Sequence, residues 1–456
     1  MAASQLRNFL YKSLSLLAFC LMHFCFGKEL YAVDHAIISI YAVHCDTGKI
    51  YMDKNSDLSL MPASCLKIVT TAAALHLLGP EYRFETHLEY DGCIDSNTLY
   101  GTIYIRGGGD PCLGSDRTSS SLSWEKQIEN WADAIQKKGI QRIKGEIRGD
   151  ASSWEKALAV PSWAWEDIGN YYGAGASALS FHENSYSLFF KPTRIGERAY
   201  IVRTEPPLPS LILHNEVCTG PEGSGDRACI YGSECSPVHY VRGTIPAGVH
   251  EFVIKGALPD PGACCADLLT QELRERGIEI DTIEVMGLNK RVGLHTTYSP
   301  TIREIVYWTN QKSINLYAEH LLKKIGEVVY KEGSTVAGTR AITHFLANQN
   351  IDLNGLNIVD GSGLSRKNLI TTKQLVHLLV TMKHSECFPI FFDSLPQKHA
   401  LIRAKSGTLS SVKGYAGYVG NIAFAILINN CVDHQLMNER MDLLFTELTE
   451  LHNSQI

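Results

Sequence analysis

The sequence predicts an α+β protein built as one split domain, an antiparallel five-stranded sheet packed between helices, interrupted by a large and mainly β insertion. Three observations carry this. The chain opens with a β-hairpin and a buried helix, it closes with three consecutive strands and a helix, and the residues between, roughly 90 to 290, are short strands separated by Pro/Gly-rich loops. The two ends complete one sheet only if the block between them leaves and re-enters at neighbouring points. At 456 residues the chain also exceeds the size at which one hydrophobic core stops growing. The expected division is residues 31–90 and 291–456 for the split domain, 91–175 and 251–290 for a second domain inserted into it, and 176–250 for a third nested in the second.

Arg7 and Lys12 precede an apolar run from Ser13 to Gly27 that is short for a bilayer span. This is the pattern of an export signal, expected over residues 1–30, and it predicts a periplasmic protein with at most peripheral membrane association. Removing Cys20 and Cys25 with the signal leaves eleven of the 13 cysteines. Cys218, Cys229 and Cys235 lie in a Gly/Ser/Pro-rich stretch and suit a local disulfide in an oxidising compartment. No C-x-x-C pair with matching His spacing is present, so no metal or cofactor is expected. A net charge of −6 without a Lys/Arg cluster argues against a nucleic-acid partner.

Taken in order, His35 to Cys45 is apolar and β-branched, Asp46-Thr47-Gly48 turns the chain, and Lys49 to Met52 returns. Leu66, Val69, Ala73 and Leu77 then recur at helical spacing until Gly79-Pro80 ends the helix, which places Ser64 in its first turn. Strands are expected at Phe84–Tyr90, Leu99–Arg106 and Ile140–Ile147, with a helix from Trp124 to Lys138. Gly107-Gly108-Gly109-Asp110 reads as a turn, because Pro111 follows and no G-x-G-x-x-G spacing leads into a helix. Residues 151–175 are rich in Trp and Tyr, residues 176–255 alternate short strands with loops, a helix runs from Ala266 to Arg276, and a strand from Ile280 to Met286 closes the block. Beyond it the expected elements are a helical stretch from Thr301 to Tyr330, a helix from Thr335 to Gln349, a loop from Asp360 to Arg366 and a helix from Thr371 to His384. Strands at Leu401–Leu409, Tyr415–Val419 and Ile422–Asn429 and a helix from Gln435 to Leu451 finish the chain.

Three polar signals fall in the split domain: Ser64-x-x-Lys67, Ser313-x-Asn315, and Lys405-Ser406-Gly407-Thr408 on an expected strand. Residues three apart on a helix share a face, so Lys67 can reach the Ser64 hydroxyl. A serine is a competent nucleophile only when a base takes its proton, and a lysine is that base only when burial or nearby cations lower its pKa. Free N–H groups at the start of the helix are also positioned to hold an oxyanion.

In this order the motifs resemble those of the active-serine penicillin-recognising enzymes, with Ile314 and Ser406 as departures that remove no functional group. RGGGDP (106–111), GEIRGD (145–150), NQKSINLYAEHLLKKIG (310–326), DGSGLSRKNLI (360–370) and AKSGTL (404–409) extend the likeness. They are similar to the D-alanyl-D-alanine carboxypeptidase/endopeptidase family of class C low-molecular-mass penicillin-binding proteins, peptidase family S13. The resemblance implies a β-lactamase/transpeptidase-like catalytic domain, peptidoglycan stem peptides as substrates, an acyl-enzyme on Ser64 and covalent capture of β-lactams. It implies Lys67 as base, Ser313 as proton relay to the leaving D-alanine, and Asn315 as the group that holds the substrate amide and orients Lys67. Lys405, with the hydroxyls of Ser406 and Thr408, would bind the terminal carboxylate; Gly407 would let the substrate backbone lie along the strand edge. The N–H groups of Ser64 and Thr408 would form the oxyanion hole. Arg366 would enter a peptide-side pocket lined also by Trp154, and Cys65 reads as a small core residue. Since all three motifs lie outside residues 90 to 290, that block is expected to select substrate without serving the chemistry. A β-lactamase is the alternative hydrolase, disfavoured by the large insertion and by the expectation that no E-x-x-x-N deacylating loop is present. A catalytically silent cell-wall scaffold is disfavoured by the intact motif residues.

Overall fold

The computed structural model describes residues 35–281, 283 and 290–454; the expected signal and most of the expected strand to Met286 lie outside the described residues. The opening hairpin is β1 (Ile37–His44) and β2 (Ile50–Lys54). A 3-10 turn, Ala63–Leu66, leads into α1 (Lys67–Leu77), whose residues are buried from Lys67 to Leu75. Small Ala72, Ala73 and Ala74 let neighbours approach on every side, so the helix needs no polar face.

The insertion follows as β3 (Glu85–Tyr90), β4 (Cys93–Asp95), β5 (Thr98–Tyr100), β6 (Ile103–Arg106), α2 (Trp124–Lys137), β7 (Arg142–Lys144) and β8 (Ile147–Asp150). It continues through a one-turn helix α3 (Trp165–Ile168), β9 (Ser185–Lys191), β10 (Tyr200–Glu205), β11 (Ile212–Gly220), β12 (Arg227–Tyr231), β13 (Val238–Pro246), β14 (Phe252–Ala257), α4 (Pro261–Glu275), β15 (Glu279–Asp281) and β16 (Val292–Tyr298). Four small sheets result, ordered β16-β3-β6-β8, β15-β7-β5-β4, β10-β9-β14 and β11-β13-β12. β16 pairs with β3 from Val292↔Tyr90 to Tyr298↔Glu85, so the chain enters and leaves the insertion on adjacent antiparallel strands. These strands lie in the insertion's sheet although the expected boundaries put residues 85–90 and 292–298 with the split domain. Likewise β14 pairs with β9, joining residues 252–257 to the nested module. α4 begins five residues earlier than its apolar spacing indicated, because Asp260 caps it through Ala263 N at 2.9 Å and Pro261 fits the first turn.

The return is α5 (Ile302–Gln311), α6 (Asn315–Tyr330), α7 (Thr335–Asn348), α8 (Thr372–Lys383), α9 (Phe388–Ser394), β17 (Gln397–His399), β18 (Ile402–Leu409), β19 (Val412–Val419), β20 (Ile422–Asn429) and α10 (His434–Asn453). The single helical stretch expected over Thr301–Tyr330 is broken at Ser313, whose φ of 57° ends one helix and starts the next. The sheet order is β17-β18-β19-β20-β1-β2, with β1 and β20 in register from Ile37↔Asn429 to His44↔Ile422. The expected five strands are therefore joined by a short sixth, β17. One face of the sheet packs on α1, α5, α6 and α8, and the other on α10.

All eleven described cysteines are free thiols. The expected local disulfide does not form: Cys218 stands opposite Thr244 and Cys229 opposite Arg242, on either side of β13, and two strand spacings of about 4.8 Å exceed disulfide reach.

α6 ties the insertion to the split domain; its residues from Leu316 to Gly326 are all buried. Trp154 is the anchor. Cβ atoms placed on Gly109 and Gly333 would lie 2.2 and 2.0 Å from its indole, so only glycine permits the ring to seat there. Its Nε1 donates to Glu327 Oε2 at 2.9 Å. Trp154→Ala is expected to cost ~3–5 kcal/mol in denaturant unfolding; an unchanged midpoint would refute the anchor role.

Candidate active site

Ser64 sits in the 3-10 turn before α1, preceded by Ala63 at φ 47°, a left-handed conformation that non-glycine residues adopt at some cost. Lys67 is fully buried, and its Nζ lies 2.9 Å from Ser64 Oγ, 2.6 Å from Asn315 Oδ1 and 2.7 Å from the carbonyl of Ser362. Burial, and after it the positive Lys405, hold the amine well below the ordinary lysine range, against the opposing pull of Asp360 and Glu319. In its neutral form such an amine would have two N–H bonds and one lone pair. The carbonyl oxygens of Asn315 and Ser362 can only accept, so in that form they would take the two N–H bonds and leave the lone pair to the serine hydroxyl. Cys65, between the two, is buried with its thiol pushed up to about 12, chiefly by burial, and serves as the core residue expected.

β18 forms the opposite wall. A Cβ on Gly407 would lie 2.5 Å from Pro62 O and 3.0 Å from Ser64 N, so this strand can press against the Ser64 turn only with glycine at that point. Among the described residues β17 pairs with β18 only at Ile402 and Arg403, and Ala404 N donates to Pro396 O at 2.9 Å. Strand periodicity then turns the N–H groups of Ser406 and Thr408 to the same side, where the edge is open. Lys405 is buried; its Nζ donates to Ser313 Oγ at 2.9 Å and to Ser406 O at 2.6 Å. Burial first, then Lys398, lower its pKa to about 8. The structure thus brings Ser64, Lys67 and Asn315 together and Lys405 beside Ser313, which lies at the break between α5 and α6.

The third wall is the loop 360–368, of which the sequence indicated only Arg366. Glu319 on α6 is buried and accepts from Gly361 N and Ser362 N at 3.0 and 2.8 Å. Asp360 accepts from Gly363 N, Ser365 N, Asn368 Nδ2 and Trp163 Nε1 at 2.7–2.9 Å. These bonds fix the Ser362 carbonyl that Lys67 needs. Burial and then Asp360 push Glu319 up to about 7. Gly363, at φ +82°, would place a Cβ 1.9 Å from Ala63 O, so the loop is also seated on the Ser64 turn. Ser362, Glu319, Asp360 and Trp163 were not foreseen. The DGSG stretch was the available signal, but a backbone carbonyl leaves no mark in residue identity.

The insertion does reach the catalytic centre, contrary to expectation: Asn315 Nδ2 donates to the carbonyl of Tyr172 at 2.8 Å, which orients the amide that faces Lys67. Its reach comes from residues 151–185, folded over α6, and Lys323 on that helix donates to the carbonyls of Ala157 and Ala176. Arg366 is 42% exposed and its Nη1 stands 3.8 Å from Asp167 Oδ2. Trp154 is not part of this pocket; it bonds Glu327, twelve residues or ~18 Å along α6 from Asn315. Glu166 to Asn170 does have E-x-x-x-N spacing. Asn170, however, is buried and bonded to Ile230 and to the Glu166 carbonyl, bolting α3 to β12, and Glu166 is exposed.

A buried lysine against a serine, a second lysine beside an open strand edge, and a sheet between helices fit a serine carboxypeptidase. Residues 29–450 match the D-Ala-D-Ala carboxypeptidase 3 (S13) family, and the chain belongs to that family of serine carboxypeptidases. It is 26% identical to a D-alanyl-D-alanine carboxypeptidase of Actinomadura sp. over 87% of this chain and 78% of that one. It is 23% identical to D-alanyl-D-alanine carboxypeptidase DacB of Haemophilus influenzae, covering 86% and 85% of the two chains. The fold is that of the crystal structure of penicillin binding protein 4 (dacB) from Haemophilus influenzae, with a TM-score of 0.77, 22% identity and coverage of 92% and 99%.

Lys67→Arg, which keeps a charge and cannot act as base, should slow acylation of Ser64 by ~10²–10⁴-fold, read by mass spectrometry of the acyl-protein. Gly363→Ala should cost at least ~1–3 kcal/mol and slow the same step. A Gly363→Ala protein as stable and active as the parent would mean that the loop is not seated on Ser64.

Proposed function

We propose that the chain is an exported D-Ala-D-Ala carboxypeptidase that also cleaves cross-linking peptides, and that penicillin acylates it at Ser64. The observation that carries this reading is the buried Lys67 amine 2.9 Å from Ser64 Oγ, its pKa held well below the ordinary lysine range chiefly by burial. Ser64 Oγ attacks the carbonyl between two D-alanines as its proton passes to Lys67. The N–H groups of Ser64 and Thr408 take the oxyanion, typically worth ~3 kcal/mol per donor. As the tetrahedral intermediate collapses the C–N bond breaks, and a proton reaches the leaving amine through Ser313, which Lys405 holds. Water then cleaves the acyl-enzyme and restores Ser64.

Lys405 and the hydroxyls of Ser406 and Thr408 are assigned to the terminal carboxylate, and Asn315 and the open edge at Gly407 to the peptide. On the acyl side, Arg366 and Asp167 offer opposite charges beside one another, suited to a substrate side chain bearing both an amine and a carboxylate. Export to the periplasm rests on Arg7, Lys12 and the apolar run after them; no described helix is long and apolar enough to cross a membrane. We assign three units as in the expected division, with residues 85–90 and 292–298 counted with the insertion and 252–257 with the nested module.

Incubation with a fluorescent penicillin should yield a long-lived adduct that maps to Ser64. Rapid release of hydrolysed penicillin without an adduct would favour a β-lactamase, and label on another residue would sink the assignment. Lys405→Ala should raise KM for peptides ending in a free D-Ala carboxylate by ~10- to 150-fold, a charge-assisted contact of ~1.5–3 kcal/mol. In the parent enzyme kcat/KM for such peptides should fall above about pH 8, where Lys405 loses its proton and its attraction for the carboxylate. An unchanged alkaline limb in Lys405→Ala would remove Lys405 from that role.

A further inference from the structure

The two ends of an amide side chain are nearly alike in shape, so its neighbours decide which end is oxygen. Asn315 has Lys67 at one end and the Tyr172 carbonyl at the other, with Oδ1 2.6 Å from Lys67 Nζ and Nδ2 2.8 Å from Tyr172 O. A carbonyl can only accept, so it keeps the NH2 group on its own side and leaves the oxygen to the lysine. Lys67 alone makes no such choice. Its N–H bonds suit the amide oxygen, but the lone pair it would need for Ser64 suits the amide NH2 as well. With the Tyr172 carbonyl displaced, the amide is free to turn over and compete with the serine hydroxyl for that lone pair.

The place of this carbonyl is set from outside the split domain. Tyr172 lies in a 3-10 turn, Tyr171–Gly173, and Tyr171 is 55% and Tyr172 38% exposed, so the turn's own packing does little to seat it. The residue before the turn does more. Asn170 is buried; its Oδ1 accepts from Ile230 N at 3.1 Å, and its Nδ2 donates to Ile230 O at 3.3 Å and to Glu166 O at 2.7 Å. Its own carbonyl accepts from Gly173 N at 2.8 Å. One side chain thus takes both backbone groups of a residue on β12, and its main chain closes the turn that carries Tyr172. A second fastening comes from β14, where Ala257 N donates to Gly169 O at 3.0 Å and Gly256 stands opposite Asn170. The approach is close: a Cβ on Gly169 would lie 2.2 Å from Ile230 O. A line of hydrogen bonds therefore runs from β12 and β14 through Asn170, Tyr172 and Asn315 to Lys67.

We propose that Asn170 is a positioning residue for the base: by clamping its turn to β12 and β14 it holds the Tyr172 carbonyl that keeps the Asn315 oxygen on Lys67. Through this clamp the nested module, which supplies none of the motif residues, sets the rate at which Ser64 is acylated. The proposal rests on the reading of Lys67 as the base for Ser64.

The test separates placement from stability. Stopped-flow mixing of a fluorescent penicillin with the full-length protein gives Kd for the encounter and the acylation rate constant k2, which is read from an exponential and does not depend on how much of the sample is folded. Asn170→Ala removes the clamp and Gly169→Ala pushes the turn off β12; each should lower k2 by at least about tenfold and leave Kd within about twofold. Asn170→Asp keeps the acceptor for Ile230 N and should fall between Asn170→Ala and the parent. Val217→Ala, in the buried core of the nested module on β11, should lower the denaturant midpoint and leave k2 alone. The acid limb of k2/Kd is a further readout. An amide oxygen favours protonated Lys67, so its loss lowers that pKa and moves the limb to lower pH in Asn170→Ala. The variants leave in place Lys405, Asp360, Glu319 and the Cys65 thiol, the titratable groups that face Lys67. The proposal is overturned if k2 in Asn170→Ala and Gly169→Ala matches the parent, if Kd weakens as much as k2 falls while the limb stays, or if Val217→Ala loses k2 equally at an equal loss of midpoint. A parent protein that penicillin does not acylate would defeat the functional reading. The clamp is then judged on Lys67 itself, whose titration, followed by NMR in protein with 13C-labelled lysine, should move down in Asn170→Ala; a titration that does not move overturns the proposal.

Discussion

Everything at the candidate site depends on keeping one amine buried and aimed. Taking a lysine out of water without a partner is expensive unless the proton is given up, and enclosure of α1 is the main cause that holds the pKa of Lys67 well below the ordinary range. Enclosure alone would leave the amine free to rotate. Its direction is fixed by two oxygens from distant parts of the chain, Asn315 Oδ1 and Ser362 O, and each is held in turn by a further contact. Asn315 is steadied by the Tyr172 carbonyl and the Ser362 peptide by Glu319. The helix, the inter-helix break, the loop and the insertion are thus requirements of a single nitrogen.

Much of this was legible in the sequence, for identifiable reasons. Ser64, Lys67 and Lys405 are side chains in short local spacings; Ser64 was expected in the first turn of the helix and lies in the 3-10 turn just before it, and Lys405 is on the expected strand. The sheet was legible because β1, β19 and β20 are nearly continuous apolar runs bounded by turns. What escaped notice is carried by backbone atoms and long-range contacts: the carbonyls of Ser362 and Tyr172, the seat of loop 360–368 on Glu319, and the pairing of β3 with β16. Trp154 was expected in the Arg366 pocket on the strength of the family resemblance. Its role as an anchor depends on Gly109 and Gly333, more than two hundred residues apart in sequence, leaving room for its ring. The break at Ser313 was hidden because both flanking segments are strongly helical, and nothing in their periodicity announces a change of axis.

Glycines at the site act as spacers between backbones. Gly363 and Gly407 bring a loop and a strand onto the Ser64 turn from two sides, where any side chain would hold them apart. The resulting cleft is narrow and ordered by main chain, which suits a reaction whose charge develops on an oxygen beside backbone N–H groups.

The pairing of β1 with β20 also sets the order in which this molecule can come into being. The first of the described strands, β1, is completed by the last of them, β20, from Ile37↔Asn429 onward, with the whole insertion between them. Until β20 emerges, one edge of β1 carries unpaired N–H and C=O groups and is open to wrong partners. The entropy of closing so long a loop grows only logarithmically with its length, so the cost falls on the rate of folding more than on final stability. A nascent chain that has not yet made β20 therefore carries an incomplete sheet, and a chain truncated just before β20 would lack the strand that β1 and β19 both pair with.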